Sequence, residues 1–441
     1  MECPLRWLIV GGHVLFVLVV AAPVRAQHHH GPPPAAPADP GRSLFQSDMT
    51  LMAGMSPRDP MAGMAMPGWT GMTMGIVRLQ FNDQGGPSGD EAVESTNWLM
   101  LMGQRDLLGG RLTLMGMTSL EPATLSGAGT PQLFQVGETF EGRPIVDRQH
   151  AHDLFMNLSA TYRHPLGAEG AWWMQAALRG EPALGPTAFM HRASAGENPA
   201  AVLSHHFQDS THITDDVLTL GAGWRWLSAE ISAFHGEEPD EGRWDLDPGP
   251  LDSWSARVKL AQGRWSGHVS YGFLSDPEAL EEGDVERTTA SVHYNERGLG
   301  PLALSLVWGR NREGHGTFDG VLLEGAWQAT PRDHLYARAE QADRDPHLLE
   351  SKGLDEHEEE AAEAEDPVAV RAFTVGYLRD LVVLRDVPAF ARVHLGVGAD
   401  LTLYDVPTGL RQVYGSSPLS VHAFLRLRWG VPHGAGSAHV H

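Results

Sequence analysis

Cysteine is all but missing: the 441 residues hold one, Cys3. It falls within residues 1–26, which have the form of a secretory signal peptide: Arg6, an apolar run over 7–20, and the small-residue cleavage site Val24-Arg25-Ala26. The expected mature chain therefore has no thiol, no disulfide and no cysteine-ligated metal. Long apolar runs are also lacking. Beyond the signal peptide none reaches the roughly 18 residues that a membrane-spanning helix needs. Positive charge is scarce: 32 Lys and Arg stand against 55 Asp and Glu, a net charge of −23, which argues against a nucleic-acid partner. Catalytic motifs are absent too. There is no Gly-x-Ser-x-Gly elbow, phosphate-binding glycine loop or zinc-protease helix motif, so no enzymatic activity is expected.

What the chain does have is period-two alternation. Residues 265–273 read WSGHVSYGF, with Trp265, Val269, Tyr271 and Phe273 on one face and Ser266, His268 and Ser270 on the other. Residues 285–295 and 301–310 repeat the pattern. About sixteen such segments centre on Ile76, Leu99, Leu114, Leu158, Met174, Leu220, Ile231, Ala256, Val269, Ala290, Leu304, Leu323, Ala337, Val375, Leu395 and Leu425. Their connections alternate in length. Short ones fall at 107–109, 166–170, near Trp226, 261–263, 297–300, 330–332 and 381–385. Long ones cover 84–94, 121–151, 183–215, 237–250, 276–284, 311–317, 343–367 and 405–417.

Short turns on one side and long loops on the other are the pattern of an outer-membrane barrel, with long loops outside the cell and both termini in the periplasm. A soluble β-sandwich alternates equally well but requires no such parity. Trp172, Trp224, Trp254, Trp308, Trp327 and Trp429 sit on apolar faces near strand ends, as interfacial aromatics do. The expected fold is all-β, a transmembrane antiparallel barrel of about 16 strands, with a disordered N-terminal segment. The boundaries read are a signal peptide over 1–26, a flexible His/Pro/Met-rich periplasmic segment over 27–70, the barrel over 71–430 and a His-containing tail over 431–441.

Three residue sets carry metal-ligand chemistry. The least specific is the flexible terminal histidines His28–His30, His433, His439 and His441, with His357 inside the acidic run 355–366, suited to weak cation capture or simply to a solvated loop. Met49, Met52, Met55, Met61, Met64, Met66, Met72 and Met74 crowd one stretch, and Met100, Met102, Met115 and Met117 continue it onto the next two strands. Thioether sulfur is soft and selects Cu(I); the alternative is adaptable apolar packing. The polar neighbours Arg78, Gln80, Gln104 and Thr113 direct these faces to the lumen, with Met100 expected roughly opposite Met115. The second set is His150, His152 and Asp153 in one long loop and His191, His205, His206, Asp209 and His212 in another. His-x-His at a strand edge sets both imidazoles on one side, and imidazole with carboxylate suits Cu(II), Zn(II), Ni(II) or iron. The alternative is a hydrogen-bonded plug in which Arg148, Asp153, Arg192 and Asp209 pair inside the lumen.

The stretches 137–163 (GETFEGRPIVDRQHAHDLFMNLSATYR), 185–213 and 236–247 (GEEPDEGRWDLD) resemble a poorly characterised family of exported bacterial outer-membrane barrels. That resemblance implies fold and compartment and brings no established activity. The Met-rich stretch at about 49–74 is similar in composition to the N-terminal region of B-type copper-resistance outer-membrane proteins.

The function expected from the sequence is the handling of transition-metal ions, copper first, by binding and passage or sequestration at the outer membrane of a Gram-negative cell. Expected partners are membrane lipid, metal ions or small solutes, and periplasmic metal-resistance proteins. Two alternatives stand beside it: a non-conducting receptor or adhesin, and a general small-solute porin. In a porin, the inward-facing Arg257, Lys259, Arg287, Glu324, Arg338, Arg426 and Arg428 would set selectivity.

Overall fold

Sixteen strands pair only with their neighbours and close on themselves. The computed structural model describes residues 64–66, 68–278, 283–295, 301–314, 316–350, 367–387 and 391–430. A short strand β1 (Met64–Met66) pairs with the start of β2 (Trp69–Gln84), which is followed by β3 (Glu91–Leu107) and β4 (Gly110–Thr118). A separate hairpin follows, β5 (Thr130–Phe140) and β6 (Arg143–Gln149). The barrel resumes with β7 (Phe155–Leu166), β8 (Gly170–Gly180), β9 (Thr214–Trp224), β10 (Leu227–Phe234), β11 (Ser253–Gln262) and β12 (Trp265–Leu274). It continues through β13 (Val285–Asn295), β14 (Leu302–Glu313), β15 (Gly316–Gln328), β16 (Asp333–Arg344), β17 (Val368–Val387), β18 (Ala391–Asp405) and β19 (Leu419–Trp429). All barrel pairings are antiparallel, and β19 joins β2 to shut the cylinder. Closure leaves no open sheet edge, so backbone groups facing hydrocarbon are satisfied. No described helix is long and apolar enough to cross a membrane.

Alternation fixes which face meets lipid. Val292, Leu306 and Leu323 lie in register on adjacent strands and point outward, as do Leu220 with Ile231 and Val258 with Val269. Their neighbours in sequence, among them Ser291, Ser305 and Glu324, are buried on the inner face. Each of the sixteen sequence centres falls on its own strand. The β3–β4 turn shows the local logic: Leu108 (φ 50°) and Gly109 (φ 77°) both adopt the left-handed backbone of a two-residue hairpin turn.

Some expectations are corrected. The 311–317 connection, expected to be long, spans only residues 314–315, because β14 and β15 continue well past their apolar centres. The ordered strands begin before residue 71, at Met64 and Trp69. Trp429 is not an exposed girdle residue: its ring is buried against Gly75, where a Cβ would come within 2.2 Å of it. The aromatic takes the place of the side chain that glycine lacks. Residues 1–63 and 431–441, with Met49, Met52, Met55 and Met61, lie outside the described residues.

Candidate functional site

The long loop between β8 and β9 folds inward. Its residues 181–213 cross the lumen and are tethered to wall after wall. At the near side the Ala183 N–H donates to Ser232 Oγ (2.8 Å), the Gly185 N–H to Ser270 Oγ (2.9 Å), and Arg257 Nη1 to the Gly185 carbonyl (2.9 Å). In the middle, Arg192 binds Glu324 of β15 through Nε (2.7 Å) and Asp209 through Nη1 (2.6 Å). At the far side Arg78 donates to the Gly196 carbonyl, Arg426 and Arg428 pair with Glu197, and Arg338 donates to the Ala200 and Ala201 carbonyls. The inward arginines of the wall are thus the anchors of this crosspiece. Arg287 likewise donates to Asn311 Oδ1 and Ser210 Oγ. Arg257 and Lys259 are joined to Glu230 at 3.1 and 2.9 Å.

The β5–β6 hairpin packs on the crosspiece and the wall through an apolar core that includes Phe134, Leu203, Phe207, Tyr404 and Tyr414. Tilted aromatic contacts at 5.4 Å (Phe134–Tyr404) and 4.2 Å (Phe134–Tyr414) belong to it. A cavity of about 180 Å³ lies where the crosspiece faces the walls of β3, β4, β7, β8, β10, β11, β12 and β13. One side carries Glu230, Arg257 and Lys259; the other carries Met100, Met102, Met115, Met117 and Met156; His191 and His212 reach it from the crosspiece.

The methionines form two rows. Met72 pairs with Met102 and Met102 with Met115; Met74 pairs with Met100 and Met100 with Met117. The expected Met100–Met115 opposition is therefore off by two residues, because the turn residues are Leu108 and Gly109 and the register follows from them. Met156, Trp98 and Met190 complete the cluster. Met156 was not singled out from the sequence. A register break between Met117 and Thr118 against β7 turns both Met156 and Asn157 inward, which strict alternation forbids. Met64 and Met66 lie on β1, paired with Gly71 and Trp69, and belong to neither row.

The histidines form a contiguous group on loops and short helical turns between the strands. His150 and His152 follow β6 rather than lying on a strand, so the strand-edge geometry expected for His-x-His does not apply. Ring centroids lie 5.8 Å apart for His150–His206, 5.3 Å for His205–His206, 5.3 Å for His205–His212 and 5.5 Å for His152–His212. His191 stands apart, its ring edge-on to Trp98. His152 Nδ1 meets Glu121 Oε2 at 2.7 Å, and His205 Nδ1 meets Asp209 Oδ1 at 2.6 Å. Burial holds His150, His205 and His212 below the ordinary histidine value, with the neighbouring imidazoles adding to it, and puts His191 at about 3. These rings are neutral at neutral pH and keep a lone pair that can take a metal. For His206 burial acts the same way, but the carboxylates of Glu238 and Glu278 outweigh it and raise the value.

Of the pairings expected in a plug, Arg192–Asp209 forms inside the lumen. Arg148 instead reaches Asp90, and Asp153 is held by Arg179 and Arg243, which leaves it ion-paired rather than placed with the imidazoles. Sequence reading missed Glu121, Glu138, Glu238 and Glu278, which surround the histidines. Glu138 and Glu238 lie in stretches that had been noted for their resemblance, but nothing in those stretches marks either as a neighbour of histidine.

No protein-family model and no curated protein matches this sequence. Solved structures do. The OmpF porin of Salmonella typhi, in complex with daunomycin, is 7% identical with a TM-score of 0.52, covering 83% of this chain and 99% of that one. The chain folds as a porin-like outer-membrane β-barrel. OprB of Pseudomonas putida is 12% identical, TM-score 0.49, over 82% of this chain and 94% of that one. An anion-selective porin from Comamonas acidovorans is 13% identical, TM-score 0.47, over 82% and 99%. The likeness to B-type copper-resistance proteins has no counterpart among these matches.

Proposed function

We propose that this barrel is a narrow, non-catalytic channel for small solutes, its bore set by the crosspiece at 181–213. The observation that carries the reading is the tethering of that crosspiece: it meets the inner wall through Arg78, Arg192, Arg338 and Arg426 and leaves a small charged cavity lined by Glu230, Arg257 and Lys259. Fixed charges of both signs along a constriction select solutes by size and charge. The test is planar-bilayer recording of the purified protein. Small unitary steps in the wild type support the reading; a silent membrane for both the wild type and a Glu324→Gln variant would favour a non-conducting receptor.

The double row of thioethers favours a second reading, passage or capture of Cu(I). Soft sulfur discriminates against the hard cations that a charged bore would admit. Delivery would then fall to periplasmic metal-resistance proteins. Competition for Cu(I) against a chelator tests this: a wild type that holds no more than a Met→Leu variant would leave the methionines as packing residues.

A further inference from the structure

Three loops bring one imidazole and two carboxylates together. His206 comes from the crosspiece, Glu238 from the β10–β11 loop and Glu278 from the β12–β13 loop, and their ligand atoms all lie within 4.8 Å of one another. His206 Nδ1 stands 3.5 Å from Glu278 Oε1 and 3.7 Å from Glu238 Oε2, beyond hydrogen-bonding distance for either. The side chain is nine-tenths buried, and neither ring nitrogen has a hydrogen-bond partner. Glu238 Oε1 also has none. Both carboxylates are close enough to interact with the ring by charge, but burying such groups without hydrogen bonds is costly, and a buried imidazole normally finds a hydrogen-bond partner for at least one nitrogen.

We infer that His206, Glu238 and Glu278 hold a divalent first-row cation, Zn(II) fitting best, that clasps the crosspiece to the two neighbouring loops.

The donor set decides the class of ion. One imidazole and two carboxylates suit a borderline divalent ion and offer no sulfur to soft Cu(I), so the site stands apart from the methionine rows and does not depend on either reading above. The backbone is already arranged for it: the Glu238 N–H donates to the Pro277 carbonyl at 2.9 Å, linking the two carboxylate-bearing loops. Gly137 of the β5–β6 hairpin lies against the other side of the ring, where a Cβ would come within 2.3 Å of His206 Nε2. That close approach points Nδ1 toward the carboxylates as the ligating nitrogen. The surrounding charges are Arg287, whose guanidinium is engaged with Asn311 and Ser210, and Glu138, which is engaged by His150 and Arg243. Glu238 and Glu278 bring two carboxylates to the same imidazole, within 4.8 Å of one another. A divalent cation relieves their repulsion directly.

The full-length protein in detergent, stripped with chelator, is titrated with Zn(II) by calorimetry and with Co(II) by visible absorption. The expected result is one tight equivalent, weakened at least ten-fold in Glu278→Gln and in Glu238→Gln and accompanied by a higher melting temperature in the wild type. A Met100→Leu/Met102→Leu variant should bind Zn(II) as the wild type does. Heat-modifiable mobility on gels establishes that each variant is folded. A stripped wild type that takes up no Zn(II) overturns the site. So does equal uptake by the folded Glu238→Gln/Glu278→Gln variant, the ion then residing on the imidazoles of His150 and His205.

Discussion

Arg192 and Glu324 meet at 2.7 Å in the middle of the barrel, both side chains out of reach of solvent. One belongs to a loop and the other to the wall, and the same glutamate also accepts from Arg338 Nε at 3.2 Å and from Ser194 at 3.0 Å. Removing one member of a buried ionic group strands the others, which costs about 3–5 kcal/mol. Glu324→Gln is therefore expected to lower the melting temperature and to free the crosspiece. Bilayer recordings should show larger and noisier conductance than the wild type. Unchanged conductance together with unchanged melting would mean that the crosspiece is held elsewhere.

The outer face sets a separate expectation. Leu306 lies between Val292 and Leu323 in register and is half exposed to the lipid side. Leu306→Arg should cost roughly 2–4 kcal/mol if the site lies near the membrane midplane and should impair insertion, read as loss of the heat-modifiable folded band. Arg426→Leu, on the inner face, should still insert, while taking one partner each from Glu197 and Asp380 and lowering the melting temperature. Equal insertion of both variants would reverse the assignment of faces.

Replacing Met100, Met102, Met115 and Met117 together by leucine keeps apolar bulk and removes sulfur. Each exchange should cost under about 1.5 kcal/mol, so the barrel should fold. Cu(I) retention against a chelator should drop to background if the thioethers bind the ion, and should stay level if they only pack.

Orientation can be read with single cysteines, since the only native one is Cys3. Gly409, exposed in the β18–β19 loop with open space around it, should be labelled as Gly409→Cys by an impermeant maleimide on intact cells. Pro331→Cys, in the exposed β15–β16 turn, should be labelled only after the outer membrane is opened. The opposite pattern would invert the topology.

Strand number, closure and the side facing lipid were all legible in the residues, because a half-buried strand writes its two environments as a period of two. Leu304, Val292 and Leu425 on one face and Arg287, Arg338 and Arg426 on the other follow from that period alone. The two methionine rows were legible as faces, though their register was not. Pairing depends on which two residues make the turn, and Leu108-Gly109 shifts Met100 from Met115 to Met117.

The loops are another matter. They carry no period, so nothing in the order of residues says that Arg192 will reach Glu324, 132 positions away. Nor does it say that Glu238 and Glu278 will meet His206, or that a bulge will turn Met156 inward. Composition and alternation determined a porin-like barrel with a methionine-rich wall. Only the closed cylinder, by bringing sequence-distant loops into one narrow lumen, decided which charges are paired, which histidines cluster and where an ion could be held.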